Sequence, residues 1–176
     1  MSPLVAVDVQ YDDDLDLACV AAVWFHDWER DAAAGHRLHF VEGLAPYVPG
    51  SFYQRELPCL LPLVSALIAE LSPRAIVVDA HVDLDEGRPG LGRHLHHAIL
   101  QEVEVIGVAK RPFHGGVGIP VVRGASRQPL WITATGDPAA AAAGVARMAG
   151  PHRVPALLKE VDRRARVGLG TGPASR

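Results

Sequence analysis

Cysteine is scarce in this sequence, and long apolar runs are absent from it. Cys19 and Cys59 both stand among apolar residues, so they form neither a disulfide framework nor a zinc site, and we expect both to be small buried side chains. No run approaches the roughly 18 apolar residues of a transmembrane helix. The first residues lack the basic and apolar regions of a secretory signal. These absences argue against membrane-spanning and disulfide-stapled classes and predict a cytoplasmic protein.

Net charge is also small, at −3, but it averages over two unlike halves. Residues 1–104 carry 6 Lys/Arg and 17 Asp/Glu, whereas residues 105–176 carry 11 Lys/Arg and 3 Asp/Glu. Such asymmetry is typical of a carboxylate site combined with a polyanion partner. The 176 residues are 49% hydrophobic, which excludes global disorder. We predict a single domain over residues 1–167 and a disordered tail over residues 168–176.

The apolar periodicity predicts an α/β fold. Three strands form an antiparallel meander, and helices then alternate with further strands of a sheet whose ligand site lies at the strand C-termini. Strands are predicted over 4–9, 17–26, 37–42, 74–79 and 103–109, a hairpin over 117–134, and helices over 52–71, 90–100, 138–148 and 154–166. Ser51 is the predicted N-cap of the first helix, which contains Pro58 and Pro62.

Three carboxylates lie in segments where burial in an apolar core would be unfavourable. Asp8 interrupts the first apolar strand, Glu56 lies in the first turns of a helix, and Asp79 ends the fourth strand. A lone buried carboxylate costs several kcal/mol unless it is paired or binds a metal. Hard oxygen ligands suit Mg²⁺ or Mn²⁺, which activate water against a phosphodiester. The alternative is ordinary structure, because Asp often caps a turn and Glu complements a helix dipole.

Six short motifs, in order and register, make the sequence similar to the endonuclease V family over roughly residues 4 to 165. The motifs are Val7-Asp8-Val9-Gln10-Tyr11, Tyr47-Val48-Pro49-Gly50, Arg55-Glu56-Leu57-Pro58, Val78-Asp79-Ala80-His81, Gly90-Leu91-Gly92-Arg93-His94-Leu95 and Ile106-Gly107-Val108-Ala109-Lys110. The resemblance implies a ribonuclease H-like mixed sheet flanked by helices. It also implies a Mg²⁺-dependent (or Mn²⁺-dependent) repair endonuclease that cuts DNA or RNA near deaminated bases, chiefly inosine, one nucleotide 3′ of the lesion.

The resemblance also assigns roles to individual residues. Asp8, Glu56 and Asp79 match the family's metal-binding acids, and Lys110 matches the lysine that stabilises the scissile phosphate. The turn from Tyr47 through Pro49 to Gly50 matches the wedge that fills the gap left by an extruded base. The implied partners are therefore nucleic acids with deaminated bases, and we expect a monomer with no membrane partner.

Further nucleic-acid contacts are predicted from position. His81 follows the Asp79 motif, and Arg111 and His114 follow Lys110, where each could reach a base or a phosphate. The remaining cations form either a solvated helix face or a stripe that tracks a phosphate backbone. That set comprises Arg123, Arg127, Arg153, Lys159, Arg163, Arg164 and Arg166.

This chain departs from the family pattern at four positions. Ala80 and Val82 replace two glycines of the lesion pocket, adding side chains where backbone is expected to approach the base. Asp85 and Asp137 stand where the family has histidines. Two hypotheses follow for this divergent member. Either Asp83 or Asp85 supplies a further metal ligand in a working nuclease with altered substrate preference, or the chain is a catalytically weakened or inactive nucleic-acid-binding or interaction module.

Overall fold

The computed structural model describes residues 2–85, 87–113 and 117–172. Over these residues the chain forms nine strands and four helices, and the predicted α/β class with its antiparallel meander is confirmed. The strands are β1 (Leu4–Asp12), β2 (Leu17–Phe25), β3 (Gly35–Glu42), β4 (Ala75–Val78), β5 (Asp83–Asp85), β6 (Arg88–Pro89), β7 (Glu104–Ala109), β8 (Ile119–Val121) and β9 (Leu130–Ala134). The helices are α1 (Tyr53–Leu71), α2 (Leu91–Ala98), α3 (Pro138–Arg147) and α4 (Ala156–Thr171).

Seven of the described strands form one mixed sheet in the order β3-β2-β1-β4-β7-β9-β8. Strands β1, β4 and β7 run parallel at its centre, and the outer pairs are antiparallel. Parallel central strands are covered on both faces, which explains their almost continuous Val, Ile and Ala sequences. Alternate strand residues pack against α3 and α4 on one face and against α1 and α2 on the other.

Helix α1 accommodates two prolines because both are exposed. Pro58 and Pro62 lie one turn apart on its solvent side, so the carbonyls that lose their N–H partners are near water. The predicted N-cap is displaced by one residue. Phe52 is the N-cap and makes no side-chain capping bond, whereas Ser51 lies in the preceding turn, where its N–H donates to Val48 O at 3.0 Å.

Helix α4 is longer than the sequence predicts. It continues to Thr171, so residues 168–171 are helical rather than part of a disordered tail, while residues 173–176 lie outside the described part of the chain. Gly168 allows this extension, because a Cβ there would lie 2.6 Å from Cys19 Sγ. The last turns of α4 therefore pack directly on β2. No helix among the described residues is long and apolar enough to cross a bilayer.

Candidate active site

Strand register brings the predicted acids to one edge of the sheet. Val7 of β1 lies beside Val78 of β4 in the parallel register, so Asp8 and Asp79, the next residue of each strand, are neighbours. Asp8 shares the face of Leu4 and Ala6, which α4 covers. Glu56 approaches from the first turn of α1, with only 9% of its surface exposed.

These carboxylates are close enough to perturb one another. Burial raises the pKa of Asp8 to about 7, and the charge of Asp79 adds to the rise. Burial likewise raises the pKa of Glu56 to about 8, with contributions from the charges of Asp8 and Asp79. Two acids that resist ionisation near neutral pH mark a site with excess negative charge.

Lys110 supplies positive charge at the same edge. It follows β7, the strand next to β4, and its Nζ donates a hydrogen bond to Asp79 Oδ2. Partial burial disfavours its ammonium form, but the hydrogen bond to Asp79 and the charges of Asp79, Asp8 and Asp162 outweigh burial and raise the pKa of Lys110. The side chain is still 49% exposed, so it remains accessible to a ligand.

The acid cluster fits a divalent cation in chemistry but not in its present side-chain positions. Its donors are hard carboxylate oxygens, and a bound cation would oppose the burial and the neighbouring negative charges that raise the pKa values of Asp8 and Glu56. Among residues 2–85, 87–113 and 117–172, however, no three Asp, Glu, His or Cys side chains are placed to coordinate one ion.

Asp162 of α4 joins the cluster, although the sequence alone does not predict it there. Its charge and its side-chain hydrogen bond with Asp8 both raise the pKa of that residue, and its own pKa is lowered, chiefly by the hydrogen bond from Arg166. Gln10 Nε2 donates to Asp162 Oδ1 at 3.1 Å and fixes its position against β1. The one sequence feature that sets Asp162 apart is that residues 105–176 contain just three acidic residues.

A cavity of about 660 Å³ opens beside the acids on the α1 and α2 face. His81 lies at its wall with 9% exposure; its Nε2 is 2.9 Å from Arg111 O, and its Nδ1 has no partner among the described residues. Tyr53 and His94 stack at 3.7 Å on another wall. The remaining lining residues are Gly50, Phe52, Glu56, Asp79, Ala80, Leu84, Arg88, Pro89, Gly90, Leu91, Ala109, Lys110, Arg111 and Phe113.

A rigid turn carries an exposed aromatic ring at the rim of this cavity. Gly50 has φ +78°, and with Pro49 before it the turn has the sequence of a type II turn. Tyr47 is 58% exposed and meets Phe52 edge-to-face at 6.0 Å. Phe52 in turn contacts Tyr11 at 6.3 Å, so the turn is anchored to β1.

Of the four departures from the family pattern, Val82 and Asp137 lie away from the acids, Ala80 lines the cavity, and Asp85 lies in a hairpin that borders it. Val82 is fully buried in the core between β4 and α2 and does not line the cavity, which leaves Ala80 as the substitution that does. Asp85 pairs with Arg88 in the β5–β6 hairpin, and it is not among the residues that perturb Asp8 or Glu56. Asp137 caps α3 at the opposite edge of the sheet, accepting bonds from Ala139 N and Ala140 N.

Several predicted phosphate contacts have structural partners instead. Arg123 is buried and donates to the carbonyls of Met148 and His152, and Arg153 donates to Lys110 O. Arg164 and Arg166 form ion pairs within α4. Arg111 is exposed at the cavity, and His114 lies outside the described residues.

Stability should fall with rising pH because of the two perturbed acids. The ordinary pKa values of Asp8 and Glu56 are 3.8 and 4.5, and the fold raises them to about 7 and about 8. The folded protein therefore binds more protons than the unfolded chain between these limits. Each group should lower the free energy of unfolding by up to about 1.4 kcal/mol per pH unit there, while below about pH 4 the effect is absent.

Mg²⁺ or Mn²⁺ should oppose this loss, because only ionised carboxylates bind the cation. We expect a larger rise in melting temperature on adding Mn²⁺ at about pH 8.5 than at about pH 5. Sodium chloride at matched ionic strength is the control for charge screening. An equal rise with sodium chloride would contradict specific cation binding.

The comparisons with known proteins agree with this architecture. Residues 1–151 match the family described as Endonuclease V. Endonuclease V of Streptomyces avermitilis is 37% identical over 114 residues, which make up 62% of this chain and 46% of that protein. The chain thus spans about half the length of the curated relatives it matches.

Solved structures show the same fold. Human ENDOV superposes with a TM-score of 0.78 at 23% identity, covering 97% of this chain and 85% of that one. Endonuclease V of Ciona intestinalis, in complex with a 24mer DNA containing an inosine followed by a ribo-adenosine, gives 0.76 at 18% identity, covering 97% and 86%. The fold and its acidic edge define a ribonuclease H-like α/β protein. Within that class, the chain belongs to the endonuclease V family.

Proposed function

We propose that this protein is a metal-dependent endonuclease that hydrolyses a phosphodiester near a deaminated base, inosine above all, in DNA or RNA. The observation that carries the proposal is the meeting of mutually perturbing carboxylates and Lys110 at the mouth of a 660 Å³ cavity. Family membership supports the same reaction class. The Ciona relative was crystallised with inosine-containing DNA, which supports the choice of substrate.

Asp8, Glu56 and Asp79 would hold Mg²⁺ or Mn²⁺, which polarises the phosphodiester and activates water. Lys110 exchanges Asp79 for a non-bridging oxygen of the scissile phosphate and stabilises the charge that develops there. Asp162 is kept ionised by Arg166 and lies against Asp8, so it is the carboxylate best placed to accept a proton from the attacking water.

The cavity beside Glu56 is the proposed site for the extruded base. Its volume lies within the range of small-molecule sites, and His81 forms part of its wall. The turn of Tyr47, Pro49 and Gly50 would fill the gap left in the stack, while Arg111 contacts the backbone at the rim. The methyl group of Ala80 narrows the cavity relative to the family glycine.

The competing hypothesis is a nucleic-acid-binding module with weakened or no catalysis. Its support from sequence is the pair Asp85 and Asp137 together with Ala80 and Val82, but the two aspartates are not among the main groups that raise the pKa of Asp8 or Glu56. What still favours it is the absence, among the described residues, of three side chains already placed around one ion. A cleavage assay separates the two hypotheses. Under both hypotheses we propose that the protein is cytoplasmic and monomeric.

The assay uses end-labelled strands that differ only in inosine or adenosine at one position. Single- and double-stranded DNA and RNA are each incubated with Mg²⁺, Mn²⁺ or a chelator. We expect a nick on the 3′ side of inosine, little cleavage of the adenosine strands, and none with the chelator. Binding of every inosine strand without cleavage of any would refute the enzyme hypothesis and support the module.

A further inference from the structure

Lysine and arginine side chains without a partner are unevenly distributed over this protein. Most of the described cations form ion pairs, bond to backbone carbonyls or cover an aromatic ring. Five described side chains do none of these: Arg30, Arg111, Arg127, Lys159 and Arg163. All but Arg30 lie on helices or loops that reach the active-site edge. Cations that served only to keep the surface hydrated would not need to be concentrated there.

Lys159 and Arg163 form an exposed ridge on α4. They are four residues apart on a helix and hence neighbours on its surface, about 6 Å apart along the axis. Lys159 also lines the 240 Å³ cavity whose walls include Asp8, Asp79, Lys110 and Asp162. The ridge therefore begins at the catalytic cluster itself.

The acids of α4 do not neutralise this ridge. Glu160 is paired with Arg164, and Asp162 is paired with Arg166. Exposed cations left unpaired beside a phosphate-processing site are suited to further backbone phosphates, which attract Lys and Arg irrespective of base sequence.

The positions of the base cavity and α4 on opposite faces of the sheet indicate the path that a bound nucleic-acid strand would take. The base cavity lies on the face covered by α1 and α2, whereas α4 covers the other face. Lys110 stands between them at the sheet edge. A strand with its base in the cavity and a phosphate at Lys110 would continue across the edge toward α4.

We propose that Lys159 and Arg163 bind backbone phosphates of the strand segment that lies beyond the scissile bond, away from the extruded base. The proposal rests on the proposed function for the position of the cut, which makes this segment the 3′ flank. It predicts that the protein requires a 3′ flank for full affinity and reads it without regard to its bases.

The test compares Lys159→Ala/Arg163→Ala with a control, Arg30→Ala/Arg147→Ala, that removes two cations at the far edge of the sheet, the unpartnered Arg30 and Arg147, which pairs with Glu29. Binding of labelled single strands is followed by fluorescence anisotropy in chelator across a salt series. One strand extends on both sides of the inosine, a second stops at the nucleotide after the scissile bond, and a third lacks the 5′ flank. Melting temperatures check that both variants fold.

For the two-sided strand we expect the ridge variant to bind about tenfold more weakly and to lower the salt slope by about 0.7 per lost phosphate contact. The same loss is expected for the strand lacking its 5′ flank and for adenosine in place of inosine. The strand truncated at the 3′ side should bind both variants and the wild type alike. Lys159→Arg/Arg163→Lys should restore binding.

If the ridge variant bound the 3′-truncated strand more weakly than the wild type does, by the same factor as for the two-sided strand, the proposal would be overturned. An unchanged salt slope, or a loss shared equally by the control variant, would also overturn it. The binding measurements contain chelator and do not depend on cleavage of the strand. Failure of the wild type to cut inosine strands would therefore refute the proposed function and leave the test of the ridge intact.

Discussion

Replacing Asp79 by Asn is expected to reduce strand cleavage about a thousandfold or more, because a lost metal contact removes several kcal/mol of transition-state stabilisation and each 1.4 kcal/mol is a factor of ten. Asp8→Asn should have a similar effect for the same reason. Single-turnover cleavage of an inosine strand at saturating Mg²⁺ measures the chemical step directly. Asp85→Asn is the matched control, since Asp85 lies in the β5–β6 hairpin and should keep full activity.

Asp8→Asn should also make the folded protein more stable than the wild type. Asp8 is a buried acid whose ionisation is opposed by burial and by Asp79, so a neutral amide removes an unfavourable charge above pH 7. A higher melting temperature together with lost cleavage would separate a catalytic role from a structural one. Wild-type activity in Asp8→Asn or Asp79→Asn would contradict the metal assignment, and activity lost in Asp85→Asn would return that residue to the site.

Lys110→Met is expected to slow cleavage by about a hundredfold to a thousandfold, the usual loss when one preorganised charge donor is removed from a developing oxyanion. Methionine keeps much of the length of lysine and removes its charge. Because Lys110 also holds Asp79, its removal frees a carboxylate. The Mg²⁺ concentration for half-maximal cleavage should therefore fall even as the maximal rate falls.

Titrating Mg²⁺ in the cleavage assay with wild type, Lys110→Met and Lys110→Arg distinguishes these two effects. Lys110→Arg retains the charge and should recover part of the rate. A rise in the Mg²⁺ requirement of Lys110→Met would show that the ammonium does not compete with the cation. An unchanged maximal rate would remove Lys110 from the catalytic residues.

The sequence predicts the elements of this fold well because its strands and helices are regular. β1, β2 and β7 are short runs rich in Val and Ala, and the meander follows from their spacing. Asp8 is predictable for the opposite reason, since a carboxylate within such a run has no packing role. Parallel register then places Asp79 beside it without further information.

What the sequence cannot predict depends on contacts between distant residues. Asp162 reaches Asp8 only because α4 packs back across β1, and Gln10, which bonds to it, is 152 residues away in the chain. Asp85 and Asp137 stand where the family has histidines, but Asp137 caps a helix at the opposite edge, and Asp85 lies in a hairpin of which Leu84 and Arg88 line the cavity. Val82 faces the core because its neighbours α2 and β7 require an apolar residue there.

Helix α4 packs more closely on the sheet at Gly168 than at its middle. At that residue the helix lies against Cys19 and Leu38 with no room for a side chain, whereas Leu158 and Val161 border the 240 Å³ cavity. The helix thus touches the sheet directly at Gly168 and borders a cavity near Asp162, about 9 Å away along the axis. The contact at Gly168 is made with Cys19, the cross-strand neighbour of Gln10, which bonds to Asp162. A methyl group at position 168 would push the end of α4 away from β2 and so shift Asp162 relative to Asp8.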